Sequence, residues 1–555
     1  MFIQANVPTL LSPGKMPSVQ ENRKNSYEFI SLVTKGSWIA LSFASVFQCI
    51  MFSTLANTIA VGAVIVGWGL FSYIYLNPIM LRDYPLSTFL ILGFTTTQLY
   101  FPLLFTSLEG KPITYNLELP YQVFSHTIIS LVVLILSHTV YRFINQYLPQ
   151  TPSKLLVKLG LFDTPIDLQL WLMGLIGLGA TFYVFLYSPS IGWEVKGSAS
   201  DKAIQALIPF SYAPFFLPFG KLYGNDKPPT KNLLISLGIF TLMLFLISIG
   251  RNSRGGFMVG FSSVGFAYGL GLLLGIYKAK FFTTKNFFIL LGTYWLFTGP
   301  VADIGTAMVI VRGQRHDISS SELISNTLTV FLDKEAIRQS RLYDIKENES
   351  GEWNESYVSN IFLARFCNIK FNDLSLMQAE KIRDNDPDMR EFSINYVWSA
   401  FPQPVLDALE LNQVDKLLLR GVSVGDYLYY VAGGPPEALG GFRTGHFAGT
   451  GMAAFGWWYL LILAIGIIPI YFLFDKFAAK FPAKRIANNA SPTLEIKFSL
   501  CGLIVLTGIF MFTVAETVVI TAVFLVRDWI QLILLYVVIF QFTKLISLPF
   551  RRATN

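Results

Sequence analysis

Twelve separate runs of about 20 apolar residues punctuate this chain, and that is the length an α-helix needs to cross a hydrocarbon layer of about 30 Å. They lie near 37–55, 57–76, 87–107, 121–141, 168–188, 203–220, 232–250, 256–277, 287–310, 455–474, 498–518 and 529–548. Inside lipid no water meets the backbone N–H and C=O groups, so each run is constrained to satisfy them itself, as a helix. The expectation is an all-α, polytopic membrane protein of about 12 transmembrane helices. The sixth run is the weakest, because Pro209, Pro214 and Pro218 interrupt it. The stretch from Lys154 to Leu170 reads as a short interfacial helix.

Between the ninth and tenth runs stands a polar island, Val311 to Gly445. It holds 14 Lys and Arg against 20 Asp and Glu, so the remainder carries 42 − 14 = 28 basic against 35 − 20 = 15 acidic residues. A loop of this length without structure is improbable. Helices are expected from Ser319-Ser320-Ser321-Glu322 to about Asp344 and, in part, over Glu355–Phe366, Leu374–Ile382 and Met389–Leu409. The picture is a small, mostly helical cap over one membrane face. The resulting division is a tail 1–36, helices one to nine in 37–310, a loop domain 311–454, helices ten to twelve in 455–548 and a tail 549–555.

Charge orients the set. Placing the N-terminus inside puts about 21 Lys and Arg on the inner segments and about six on the short outer loops, as the positive-inside rule requires. Both termini are then cytoplasmic and the island faces out. The N-terminal 34 residues, with Pro8, Pro13 and Pro17, show no cleavable secretory signal. Cys49 and Cys501 fall in apolar runs and Cys367 is isolated in the island, which leaves no disulfide framework or cysteine metal site.

Three outer-face features carry chemistry. Arg251-Asn252-Ser253-Arg254-Gly255-Gly256 places two guanidinium groups against the charge bias, where they either snorkel to lipid headgroups or meet an anionic ligand such as a phosphate. Arg443 and His446 sit among glycines where the island returns to the membrane, and a neutral imidazole there can accept a hydroxyl proton or serve only the fold. Arg527-Asp528 lies at the mouth of the last two runs, with Glu516 deeper. It is a further anion contact or a self-neutralised pair. Asp384-Asn385-Asp386-Pro387-Asp388 resembles a calcium loop only superficially, since Met389 and Asn395 stand where glycine and glutamate are needed, and reads as a turn and helix cap. Arg312, Arg315 and His316 flank the ninth run as site members or anchors. No phosphate-binding loop or HExxH motif occurs, and nothing points to nucleic acid.

Ser253-Arg254-Gly255-Gly256 opening a mid-chain run, one large outer loop before the last runs, and His446 followed by Gly449, Gly451 and Phe455-Gly456-Trp457-Trp458 together resemble the bacterial O-antigen polymerase (Wzy-type) and O-antigen ligase superfamily. The span plan covers most of the chain. The resemblance implies a glycosyltransferase of the bacterial inner membrane that needs no metal or other cofactor and joins polyprenyl-diphosphate-linked oligosaccharides at the outer face. By position, Arg254, Arg251, Arg443 and Arg527 would hold the diphosphate and His446 would act as base toward the acceptor sugar. Phe447 departs from the polar residue that ligases place after the histidine, which favours the polymerase. The implied partners are lipid-linked oligosaccharides and membrane lipids, with a chain-length regulator left open. A ligase that moves finished glycan, or a transporter of the same lipid-linked sugars, are the alternatives.

Overall fold

The computed structural model describes the chain outside residues 1–18, 149–151, 188–202, 229, 251–253, 279–282, 285–287, 289–290, 293–294, 296–298, 312–319, 341–352, 361, 442, 483–493 and 553–555. Helices make nearly all of it: α1 Val19–Met51, α2 Leu55–Tyr75, α3 Pro85–Leu108, α4 Pro120–Asn145, α5 Asp167–Tyr187, a 3-10 element Ile208–Tyr223, α6 Leu233–Gly250, α7 Arg254–Leu273 and α8 Pro300–Ile310. The island contributes α9 Ser320–Leu332, α10 Ile369–Lys381, α11 Pro387–Trp398, α12 Lys416–Gly421 and α13 Val424–Val431. The chain then continues through α14 Phe447–Phe455, α15 Tyr459–Asp475 and α16 Trp529–Arg552.

Among the described residues, eight helices are long and apolar enough to cross a membrane. The seventh, eighth and ninth runs appear there as the shorter apolar helices Leu233–Ile247, Gly260–Leu273 and Pro300–Ile310. The chain is a multi-pass membrane protein. Prolines explain the starts: Pro85, Pro120, Pro300 and Pro387 each occupy a first helical turn, where the missing N–H costs nothing. They also explain the sixth run, in which Pro214 and Pro218 lie inside 3-10 rather than α geometry.

Two expectations are corrected. The eleventh run is broken into Leu500–Ile504, Leu506–Phe510 and Phe512–Val514, followed by a non-helical connector, 515–519. There the chain is pressed against α3 so closely that a Cβ on Gly93 would lie 1.8 Å from the Phe510 carbonyl oxygen. The fold is not purely α: β1 Ala478–Pro482 pairs antiparallel with β2 Leu494–Phe498, in the register Ala478 to Phe498. Elsewhere the structure adds detail: the first helix starts at Val19, and Glu355–Phe366 is helical only in the 3-10 turn Ala364–Phe366, after the Ser359 and Asn360 N–H groups donate to the Glu109 carboxylate.

The largest difference concerns the island. Part of it has its own small core of Phe392, Leu406, Val414, Leu419 and Val424, as a cap would. The helix α10, however, enters the bundle and packs on α4 and α14. The Asn368 N–H donates to the Thr97 carbonyl at 3.1 Å, and Asn372 Nδ2 to Thr127 Oγ1 at 3.2 Å. Asn372, Asp373, Ser375 and Gln378 are all buried on it. A polar helix is stable there because its polar groups find protein partners. Gly449 makes the approach feasible: a Cβ there would lie 2.2 Å from the Ser375 backbone carbon. Gly449→Val is expected to push α10 off α14 and cost about 1–3 kcal/mol, the range for overpacking; thermal unfolding in detergent reads it, and an unchanged midpoint would remove this role.

Hydrogen bonds sort the connections into two ends. Lys111 Nζ donates to Ser359 Oγ and Asn116 Nδ2 to the Ser356 carbonyl at the island end. Lys480 reaches Asp83, Lys544 reaches Asp163 and Ser26 reaches the Leu273 carbonyl at the other. In each of these bonds the two partners come from segments expected on the same face.

Candidate functional site

The site is built where three pieces of backbone converge at the island end: the turn into α13, the start of α14 and the connector 515–519. The Phe447 N–H donates to the Ala515 carbonyl at 3.0 Å, and Thr450 Oγ1 donates to the Glu516 carbonyl at 2.6 Å. The Val424 N–H donates to Glu516 Oε2 at 2.8 Å. Glu516 stands on non-helical backbone between the membrane helices.

Two arginines stand near Tyr396 on the island side. The Arg420 guanidinium stacks on the Tyr396 ring, 4.6 Å from its centroid, and its Nε and Nη2 are buried without a hydrogen-bond partner among the described residues. Those two nitrogens form the edge that grips carboxylate or phosphate with two parallel bonds. Burial and then the neighbouring Arg527 charge hold Arg420 below the usual arginine range. Arg527 is paired with Asp528 at 2.7 Å and remains about one-third exposed. Arg527 and Asp528 act on both Arg420 and the Tyr396 hydroxyl. Like charges held together with a buried, unfilled donor edge constitute an anion-binding arrangement.

The expected residues are distributed unevenly. Arg527 is in the site, with Asp528 neutralising part of its charge. Arg443 is committed to the fold: its Nη1 donates to Asp426 Oδ1 at 3.2 Å and to the Ala438 carbonyl at 2.8 Å, and its guanidinium covers Tyr429 at 4.6 Å. Arg254 opens α7, whose other end meets Ser26, so its backbone belongs to the island end; its side chain, like Arg251 with Arg312, Arg315 and His316, lies outside the described residues.

His446 is 1% exposed. It caps α14, with Nδ1 accepting the Ala448 N–H at 3.3 Å, so the neutral ring carries its proton on Nε2. That nitrogen lies 3.2 Å from Gln98 Nε2, and exchanging the nitrogen and oxygen of that amide lets Gln98 accept. Burial, then the nearby His126, pushes the imidazole down to about 3, so it is neutral at physiological pH. In this structure both ring nitrogens face protein groups inside the bundle. Its glycines serve packing, since Gly449 meets Ser375 and Gly451 meets Tyr459.

Gln98 reaches this depth because α3 contains a π turn, Thr96–Tyr100. Pro102, four residues after Gln98, lacks the N–H that a regular helix would aim at the Gln98 carbonyl, and the wider turn absorbs the misfit. Sequence reading missed Arg420, Tyr396, Gln98 and Asp426. The signal for Arg420 was weak: an arginine in Lys416-Leu417-Leu418-Leu419-Arg420 looks like an ordinary amphipathic turn. The turn Asp384–Asp388 is a cap as expected, Asp386 accepting the Asp388 and Met389 N–H groups. No family model, curated protein or solved structure matches this chain.

Proposed function

We propose that this protein is a polysaccharide polymerase of the bacterial inner membrane, a twelve-pass glycosyltransferase with cytoplasmic termini that joins polyprenyl-diphosphate-linked oligosaccharides at its island end. The observation that carries the reading is the unfilled Nε–Nη2 edge of Arg420, set near Arg527. A diphosphate leaving group is an anion, and a guanidinium fork already in place lowers the energy of the charge that develops as the sugar–oxygen bond breaks. The acceptor hydroxyl attacks the anomeric carbon, its proton passes to Glu516, and the lipid diphosphate departs onto Arg420 and Arg527. His446 positions Glu516 indirectly, by capping the helix whose first turn holds the connector. Arg443 fixes the turn that donates to Glu516.

The test is complementation of a deletion strain. Polymer length is restored by the wild-type chain, and Glu516→Gln leaves single repeat units. Long chains retained on the carrier lipid would instead mark a ligase, and units trapped in the cytoplasm a transporter.

A further inference from the structure

At the end of the bundle opposite the island there is a cavity of about 710 Å³, within the usual range for a small-molecule site. The start of α1, the short helix Pro78–Asp83, the segment after the 3-10 element, the end of α7 and the β hairpin enclose it. Its wall carries Arg23, Arg82, Lys221 and Lys480 against Asp83, Asp226 and Glu495, so the net charge is 4 − 3 = +1. Lys480 is bound to Asp83 at 2.8 Å. One edge is different in kind. Tyr27 and Ile79 line it and are 68% and 67% exposed, so the charged interior opens across an apolar lip on the flank of α1.

Each half of this arrangement excludes a simpler occupant. A small soluble phosphate ester has no use for the apolar lip, and a hydrocarbon chain alone has none for the cations. A phospholipid uses both: its phosphodiester carries one negative charge and its chains begin at the bilayer surface. We propose that this cavity binds the headgroup of a membrane phospholipid, the phosphate meeting Arg23 and Lys221 and the chains leaving over Ile79 and Tyr27. Because α1, α7, the 3-10 element and the hairpin all contribute to the wall, the bound lipid ties these four pieces of chain together at the basic end.

The test uses the full chain, delipidated in detergent and titrated with dioleoyl phosphatidylglycerol, with native mass spectrometry and the thermal midpoint as readouts. One lipid per chain is expected to bind saturably and raise the midpoint. The double variant Arg23→Gln with Lys221→Gln is expected to weaken binding at least tenfold. Ile79→Ser keeps the cations and weakens the lipid alone, and it carries the test if the double variant does not fold. Wild-type affinity in both variants would overturn the site. Equal affinity for sn-glycerol 3-phosphate and for the lipid would overturn the lipid assignment.

Discussion

Arg420→Ala is expected to lower the rate of chain extension by about 10²- to 10³-fold, the loss typical of removing one preorganised donor to a developing anion. The argument rests on the free edge of that guanidinium. Tyr396 holds its plane, and Nε and Nη2 lie side by side without a protein acceptor among the described residues. Lysine retains the charge but has neither the plane nor the two parallel donors, so Arg420→Lys is expected to recover only a small part of the rate. Arg443→Ala provides the contrast. That arginine closes the Ala438–Arg443 turn on Asp426, so its loss is expected to lower the thermal midpoint more than it lowers turnover per folded molecule. Polymer length in the complemented strain, combined with turnover per folded protein in vesicles, separates the two. Wild-type extension by Arg420→Ala would remove the anion site and the functional reading built on it.

Asp373→Ala is expected to be the most damaging single substitution for stability, at about 3–5 kcal/mol. Lys370 Nζ reaches Asp373 Oδ2 at 2.7 Å, and their side chains are 3% and 0% exposed. Asp373 also accepts the Leu119 N–H at 2.8 Å, and Lys370 donates to the Asn116 carbonyl, so the pair bolts α10 to the connector between α3 and α4. Without the carboxylate an ammonium is stranded inside the bundle. Replacing both partners, as in Lys370→Met with Asp373→Leu, removes the stranded charge and is expected to restore a large part of the midpoint. If the single variant unfolds like the wild type in detergent, α10 is not held by this pair.

Particular residues show how far reading the chain can go. Pro85, Pro120 and Pro387 mark their helix starts because a missing N–H is tolerated only in a first turn, and that is local chemistry. The prolines of the sixth run likewise predict its departure from α geometry. Arg527 was legible as a charge at a helix mouth. Arg420 was not, because its neighbours in sequence resemble a surface turn and its significance comes from Tyr396 and Arg527, 24 and 107 residues away. His446 is the converse case: a histidine among glycines suggests an open site, yet the same glycines admit the α10 backbone and the Tyr459 side chain against α14 and so help to bury it.

By itself the sequence determined the membrane class, the approximate positions of the apolar helices and the separation of basic from acidic segments, because length, hydropathy and charge bias act on each stretch alone. Tertiary structure alone decided that α10 lies inside the bundle, that the eleventh run is broken, and that Arg420 stacks on Tyr396 near Arg527. Those outcomes depend on pairing partners far apart in the chain, and a buried polar group is stable or ruinous according to which partner it meets.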